Sequence, residues 1–320
     1  MEIVFLERDS VGQDVDVSGF SELGHVTFYA MTRGEEEVRQ RVRDAEVIIV
    51  NKAPMNERTL ADAHALRMIA VLATGYNNCD VAYCKSRGIR VCNAVNYATA
   101  IVAQHTMTMA LCLSQHILTY NAYVHSGAYA RSGQFTCFTP VFSELEGKTW
   151  GIVGMGHIGS RVAQLASAFG CRVIWHSLTG RSTTGNFAPV SKAQLLEESD
   201  ILSLHCPLSE LSFHFLDAEA FSQMKKNALV INVSRGPVVD RDALVQALSE
   251  HRIAGAALDV YDTEPMEEDD PLLCLQEKER LLLTPHVAWA SVEARQRCVQ
   301  EAYENIHAFM QGTVRNAVNP

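Results

Sequence analysis

Short apolar runs rich in β-branched residues alternate with amphipathic segments along the whole 320-residue chain. The runs fall into two series. The first predicts strands at 2–6, 26–30, 47–50, 68–72 and 90–92, with helices between them at 35–44 and 57–65. The second predicts strands at 149–153, 172–176, 201–205, 229–233, 255–259 and 281–284. This alternation is typical of βαβ units, so the sequence predicts an α/β protein with two doubly wound parallel sheets.

Three segments lie outside this alternation. A long helical region is predicted at 99–125, an irregular arm at 126–140 and a last helix at 292–311. A first domain of about 98 residues would be small, and the last helix needs an apolar surface to pack on. We therefore predict that this helix returns to the first domain. The predicted domains are 1–98 plus 291–320, and an inserted domain at 99–290.

Composition excludes several classes of protein. The longest apolar region, around 101–118, is interrupted by Gln104, His105, Gln115 and His116, which argues against a membrane span. The opening "MEIVFLERDS" carries acids at its second and seventh positions, unlike a signal peptide. With 27 basic and 37 acidic residues the formal net charge is −10, and no basic block occurs. Nucleic acids and anionic membranes are therefore not expected as partners.

Cysteine usage indicates the redox compartment. The nine cysteines are scattered and include no C-x-x-C pair. An odd number without paired spacing favours reduced thiols in the cytoplasm over disulfides or a zinc site, and no metal is expected.

The stretch "GIVGMGHIGS" has the spacing G-x-G-x-x-G between a predicted strand and the amphipathic "SRVAQLASAFG". Gly154 would permit the tight turn, Gly156 the approach of a pyrophosphate, and Gly159 the close packing of helix on strand. A helix beginning at His157 would direct its N–H groups at the phosphates. In this context the motif predicts a dinucleotide site.

The residues after the next strand bear on the choice of nucleotide. An acid that binds the ribose 2′-hydroxyl normally follows that strand, but positions 171–185 contain none. Ser177, Thr179 and Arg181 stand there instead, and hydroxyls with a guanidinium suit a 2′-phosphate. The sequence slightly favours NADP(H); if Arg181 is only a solvated loop residue, NAD(H) is expected.

Three later turns each place one functional residue after a predicted strand. They are Arg235 in "NVSRGPVVD", Glu264 in "ALDVYDTEP" and His286 in "LTPHVAWAS". Ligands bind at the carboxyl ends of such strands. Together, an arginine for a carboxylate, an imidazole for proton donation and a carboxylate that orients it are the groups needed to reduce a 2-oxo acid by hydride transfer. Taken singly, Arg235 could cap a helix or lie on the surface, Glu264 could be an exposed turn residue, and His286 could be a hydrogen-bonded core histidine.

The motifs "GKTWGIVGMGHIG", "HCPLSE", "NVSRGPVVD", "GAALDVYDTEP" and "TPHVAWAS" resemble the D-isomer-specific 2-hydroxyacid dehydrogenase family over essentially the whole chain. The resemblance implies the catalytic roles suggested for Arg235, Glu264 and His286. It also implies a flavodoxin-like substrate domain with an inserted Rossmann cofactor domain. A homodimer is implied too, with the helix and arm at 99–148 forming much of the contact.

Further site residues are implied by the same resemblance. "VLATGYNNCD" resembles the substrate loop, so the backbone of Ala73, Thr74 and Gly75 would bind a carboxylate; without the resemblance it is an ordinary turn. Asp259 would face the nicotinamide carboxamide, although as a plain sequence feature it is an acid ending a buried strand. The remaining cofactor contacts would come from Ile158, Cys206, Pro207 and Val233. The Cys206 thiol itself is expected to be inert.

Within the family, the segments "NKAPMNERTL", "VAQHTMTMAL" and "GAYARSGQF" resemble the sequences of glycerate dehydrogenases, which are also called hydroxypyruvate reductases. Lys52 could then approach a substrate hydroxyl, unless it is a solvated loop residue. D-lactate, branched-chain 2-hydroxyacid and glyoxylate enzymes share the same three residues and stay open. Formate dehydrogenases carry Gln in place of Glu264 and are disfavoured. An NAD(H)-sensing corepressor of this fold is the alternative from another class.

Overall fold

A computed structural model describes residues 1–180 and 187–320. The chain divides into two compact units, Met1–Ala98 with Trp289–Pro320, and Thr99–Ala288. The second junction therefore lies two residues before the predicted boundary at 290. Within the described residues, no helix is long and apolar enough to cross a membrane.

The strands and helices follow the predicted alternation. The strands are β1 Glu2–Phe5, β2 His25–Phe28, β3 Val47–Val50, β4 Met68–Val71, β5 Arg90–Asn93, β6 Thr149–Val153, β7 Arg172–His176, β8 Ala188–Pro189, β9 Ile201–Leu204, β10 Leu229–Asn232, β11 Gly255–Leu258 and β12 Leu281–Leu283. The helices are α1 Gly34–Val42, α2 Glu57–Leu60, α3 Val81–Ser86, α4 Thr99–Ser114, α5 Ile117–His125, α6 Ala128–Ser132, α7 His157–Ala168, α8 Lys192–Glu198, α9 Ala218–Gln223, α10 Arg241–Ser249 and α11 Val292–Met310.

The first unit is built on a parallel sheet with the strand order β2-β1-β3-β4-β5, which is the flavodoxin-like order. The continuous apolar sequences of β3 and β4 are explained by complete burial of both strands. Helix α11 belongs to this unit. Its Arg295 donates to the backbone oxygen of Val11 at 2.7 Å and forms an ion pair with Asp14 at 2.6 Å.

The second unit contains a parallel sheet with the order β12-β11-β10-β9-β6-β7-β8. The predicted α/β class with two parallel sheets is confirmed. Six strands were expected here; the additional one, β8, has only two residues, one of them a proline, and is too short for an apolar pattern to reveal it. The strand order reverses between β6 and β9, the position at which ligands bind in such sheets.

The region predicted to be helical at 99–125 is helical, but it is divided into two helices, α4 and α5. His116 has a φ of 52°, in the left-handed region, and this residue separates α4 from α5. A right-handed helix cannot continue through that conformation. The arm that follows was expected to be irregular, but it begins with the short helix α6.

Candidate active site

The three turns singled out in the sequence leave adjacent strands at one edge of the second sheet. Strands β10, β11 and β12 are parallel neighbours, with Asn232 paired with Leu258 and Leu258 with Leu283. Arg235, Glu264 and His286 follow the carboxyl ends of these strands. The fold therefore brings the three turns to the edge where ligands bind.

The Arg235 turn is held by the buried side chain of Asn232. The Asn232 amide donates to the Arg235 carbonyl at 2.8 Å, and its oxygen accepts from the Ser234 N–H at 3.0 Å. Gly236 then packs against the next turn, since a Cβ at this position would lie 2.1 Å from the carbonyl carbon of Tyr261. Only glycine allows this approach, which fixes the Arg235 turn against the segment leading to Glu264.

Glu264 and His286 form a hydrogen-bonded pair. The distance from His286 Nδ1 to Glu264 Oε2 is 2.6 Å, and Glu264 Oε1 accepts from the Tyr261 N–H at 3.1 Å. Both side chains are partly buried, with 26% and 32% of their surfaces exposed. A carboxylate at Nδ1 holds the proton on that nitrogen and fixes the orientation of the ring. The other nitrogen, Nε2, is left for exchanging a proton with a ligand.

The backbone at His286 is in the left-handed region, with a φ of 54°. This conformation costs energy in a residue other than glycine and needs support from its surroundings. The support comes from buried Asp259, which accepts from the N–H groups of Val287 at 2.9 Å and Ala288 at 2.8 Å. The Thr284 hydroxyl donates to the same carboxylate at 2.6 Å. Asp259 thus anchors the His286 loop; its contact with a nicotinamide stays a prediction.

Tyr261 is a supporting residue that the sequence did not indicate. Its hydroxyl donates to the Thr284 carbonyl at 2.8 Å, so it joins the Glu264 turn to the His286 turn. Burial, reinforced by the nearby Asp259 carboxylate, raises the pKa of Tyr261 to about 12. The phenol consequently stays a hydrogen-bond donor at neutral pH.

The glycine turn has the geometry that a dinucleotide requires. Gly154 has a φ of 90°, and a Cβ there would lie 2.8 Å from the His205 carbonyl oxygen. At Gly159 a Cβ would lie 2.1 Å from the Gly154 oxygen, so helix α7 packs directly on its strand. Next to Gly156, in contrast, there is open space. Helix α7 begins at His157, followed by Ile158, and directs its N-terminus to this space. These residues fit a pyrophosphate.

Residues 107–288 match the family model described as D-isomer specific 2-hydroxyacid dehydrogenase, NAD binding domain. The chain belongs to the D-isomer-specific 2-hydroxyacid dehydrogenase family. It is 34% identical to the hydroxypyruvate reductase of Blautia hydrogenotrophica, over 100% of both chains. It is 36% identical to the glycerate dehydrogenase of Methylorubrum extorquens, covering 99% of this chain and 98% of that protein. Among solved structures, the acyclic imino acid reductase Bsp5 in complex with NADPH and D-Arg has a TM-score of 0.88 at 28% identity. The match covers 99% of this chain and 100% of that one.

The dehydrogenase is thus an oxidoreductase that acts on CH–OH groups with a nicotinamide cofactor. At the position of the usual acid, its strand β7 ends at His176 and is followed by partly buried Ser177. Thr179 lies in the turn that follows, while Arg181 is outside the described residues. His176 packs against the ring of Phe215 with their centroids 5.8 Å apart.

The residues that follow β9 and β10 lie at the same sheet edge. Cys206 is buried, and burial raises the pKa of its thiol to about 11. The thiol is therefore protonated at neutral pH, in line with the expected lack of reactivity. Pro207 is exposed beside it, and Val233 is partly buried immediately after β10. Contact of these three residues with the cofactor stays a prediction.

His205 was not singled out, and the motif "HCPLSE" offered no signal for it. Burial lowers its pKa to about 3, and its Nε2 lies 3.0 Å from the Ser203 hydroxyl. Its Nδ1 is buried without a hydrogen-bond partner in the part of the dehydrogenase that the structure describes. It is the backbone carbonyl of His205, not its ring, that lies next to the Gly154 turn.

The predicted substrate loop lies in the first unit, after β4. The Ala73 carbonyl accepts from the Ala94 N–H at 3.0 Å, and the Thr74 carbonyl accepts from the Asn93 amide at 2.7 Å. These bonds fix the course of the loop through Gly75. Lys52 follows β3 in a loop whose N–H groups, its own included at 2.9 Å, donate to the buried Glu7 carboxylate. Substrate contacts of all four predicted residues stay predictions.

Proposed function

We propose that the dehydrogenase is a hydroxypyruvate reductase, interconverting hydroxypyruvate and D-glycerate. The observation that carries the proposal is the 2.6 Å pair of Glu264 and His286, formed between the turns after β11 and β12, next to the turn after β10 that carries Arg235. The names of the two relatives support the choice of substrate. Glyoxylate, D-lactate and branched-chain 2-hydroxyacid chemistry would use the same three residues.

The proposed mechanism assigns one task to each side chain. Arg235 binds the substrate carboxylate and polarises the adjacent carbonyl. His286 donates its Nε2 proton to the carbonyl oxygen as the alcohol forms, and takes it back in the reverse direction. Glu264 stabilises the charged imidazole before the transfer and keeps the Nδ1 proton in place afterwards. The bound nicotinamide supplies the hydride that the 2-oxo carbon receives.

A substrate panel tests the proposal. Hydroxypyruvate, glyoxylate, pyruvate and 2-oxoisocaproate are each assayed with NADH and with NADPH, by the loss of absorbance of the reduced cofactor. We expect the highest kcat/KM with hydroxypyruvate. A higher value with another acid would move the assignment to that substrate class. Cofactor binding with negligible turnover of every acid would favour the corepressor-like alternative.

We further propose that NADP(H) is the preferred cofactor, since Ser177 and Thr179 take the place of the acid after β7. Ser177→Asp should lower kcat/KM with NADPH by about tenfold or more, because a carboxylate beside a 2′-phosphate is repelled and desolvated. The kcat/KM with NADH should be unchanged or higher, since aspartate accepts a hydrogen bond from the ribose 2′-hydroxyl. A parallel loss with both nucleotides would contradict this role of position 177.

The Glu264–His286 pair predicts the effect of removing its carboxylate. Glu264→Gln keeps a hydrogen-bonding side chain of the same size but removes the charged acceptor of the Nδ1 proton. We expect kcat for hydroxypyruvate reduction to fall about tenfold or more, because the amide holds the ring less firmly in the orientation that proton transfer needs. An unchanged kcat would rule out the assigned coupling.

We propose a homodimer formed through the helical region and arm at 99–148. Phe135, Phe138 and Val141 are 94%, 79% and 83% exposed in the single chain, an arrangement expected of an interaction surface. Light scattering after size exclusion should give twice the chain mass of 35.3 kDa. Phe135→Asp combined with Phe138→Asp should shift the mass to that of one chain. A monomeric parent would exclude the dimer.

A reducing, cytoplasm-like compartment is the location that we propose. All nine cysteines are free thiols, and Cys79, Cys84 and Cys298 are buried with their pKa values raised by burial. Such cores do not depend on oxidation for their stability.

A further inference from the structure

We propose that His105, on α4, is a positioning residue for His286 and acts through Thr284 and Asp259. This inference rests on the proposed function of His286. His105 Nε2 lies 3.2 Å from the Thr284 hydroxyl oxygen and 3.7 Å from Asp259 Oδ1. The imidazole is largely buried, with 19% of its side chain exposed.

The chemistry of the three groups sets the direction of the hydrogen bonds. Ionised Asp259 only accepts, so the single hydroxyl proton of Thr284 is donated to it across 2.6 Å. Toward His105, the Thr284 oxygen can therefore only accept a hydrogen bond. The His105 Nε2–H must therefore be the donor, giving a chain that runs from His105 through Thr284 to Asp259.

This series of hydrogen bonds ends on the backbone of the His286 loop. Asp259 receives the N–H groups of Val287 and Ala288, the two residues after His286. Because His286 has a positive φ, its loop depends on these bonds to keep its conformation. Each donor to a carboxylate helps to fix the orientation of both oxygens, and linked hydrogen bonds reinforce one another.

The first residue of this hydrogen-bonded series, His105, is held on the packed helix α4. On either side of His105, Ala103 and Met107 are buried in a core cluster with Trp150 and Ile231 of the central strands. A side chain on such a helix is held more precisely than one on a loop. His105 thus connects the packed core of the second unit to a turn 179 residues later in the sequence.

Matched pairs of variants test the hydrogen bonds from His105 through Thr284 to Asp259. His105→Leu and Thr284→Val remove the hydrogen bond, whereas His105→Gln and Thr284→Ser keep a polar group in reach. We expect the first two to lower kcat for hydroxypyruvate about 5- to 30-fold, the effect of one lost buried hydrogen bond. The KM for the reduced cofactor should change less than about twofold, and the conservative variants should recover most of kcat. The double variant His105→Leu/Thr284→Val should lose less than the product of the single losses.

A second readout does not depend on turnover. Hydrogen exchange of the peptide containing Val287 and Ala288 should accelerate in His105→Leu and Thr284→Val, because their amides lose a fixed acceptor. Thr108→Val is the control: its hydroxyl bonds to the Gln104 carbonyl on the exposed side of α4, away from the loop.

Unchanged exchange at 287–288 in both variants, or equal kcat for His105→Leu and His105→Gln, would overturn the proposal. So would losses that multiply in the double variant. If His105→Leu does not fold, the Thr284→Val and Thr284→Ser pair decides. If the parent reduces none of the 2-oxo acids, the proposed function fails, and the exchange measurement still shows whether the chain holds the loop.

Discussion

His286→Asn should lower kcat/KM for hydroxypyruvate reduction by about 10³-fold, the largest effect that we expect from one substitution. Asparagine tolerates a positive φ, so the loop can keep its conformation while it loses the acid. Its amide does not supply a proton at neutral pH. Affinity for the reduced cofactor, measured by fluorescence titration, should stay within about twofold of the parent, because the loss concerns proton transfer rather than binding.

His251→Asn is the matched control for this experiment. His251 has the same φ of 54°, but its exposed imidazole contacts Arg280 at the turn before β11, remote from the carboxyl edge of the sheet. The control should retain near-parental kcat/KM. If His286→Asn also kept more than about a tenth of the parental value, His286 would not be the proton donor.

Arg235→Lys should lower kcat/KM by about 10²-fold, although it preserves the charge. The guanidinium donates one Nη1 bond to the Ser234 carbonyl at 2.6 Å and has further N–H groups in the same plane for a carboxylate. Lysine is a point charge and cannot bind the carboxylate with two parallel bonds while keeping the internal one. The loss of kcat/KM should be similar for every 2-oxo acid, since all of them carry the carboxylate.

Arg252→Lys is the control for this prediction, because Arg252 pairs with Glu250 at 2.7 Å on the exposed surface. It should leave kcat/KM unchanged, as expected for a surface ion pair. Near-parental efficiency of Arg235→Lys would exclude the two-bond recognition of the substrate carboxylate. A selective loss with hydroxypyruvate alone would instead place Arg235 at the substrate side chain.

Local sequence patterns were sufficient for most of the fold and for placing the turns of three candidate site residues at one edge of a sheet. The apolar runs "VIIV" and "MIAV" predict buried parallel strands because such strands are covered on both faces. Arg235, Glu264 and His286 could be expected together because parallel strands carry the turns after them to one edge. The glycine spacing predicts the tight turn because only glycine tolerates the close contacts at Gly154 and Gly159.

Some features depend on contacts between distant segments and were not accessible from these patterns. The left-handed backbone at His116 ends α4 within a sequence whose apolar residues continue, so no local signal marks the break. Neither Tyr261 nor Thr284 stood out in its motif, since their importance lies in bonds across two turns.

The sequence by itself determined most of the succession of strands and helices, the glycine turn of the dinucleotide motif and the identity of the residues at the strand ends. All of these depend on periodicity or on residue chemistry over a few neighbouring positions. Only the tertiary structure decided that Asp259 anchors the His286 loop and that His105 contacts Thr284. Hydrogen bonds between residues far apart in the chain exist only once packing has brought their donors and acceptors together, and no local pattern encodes that distance.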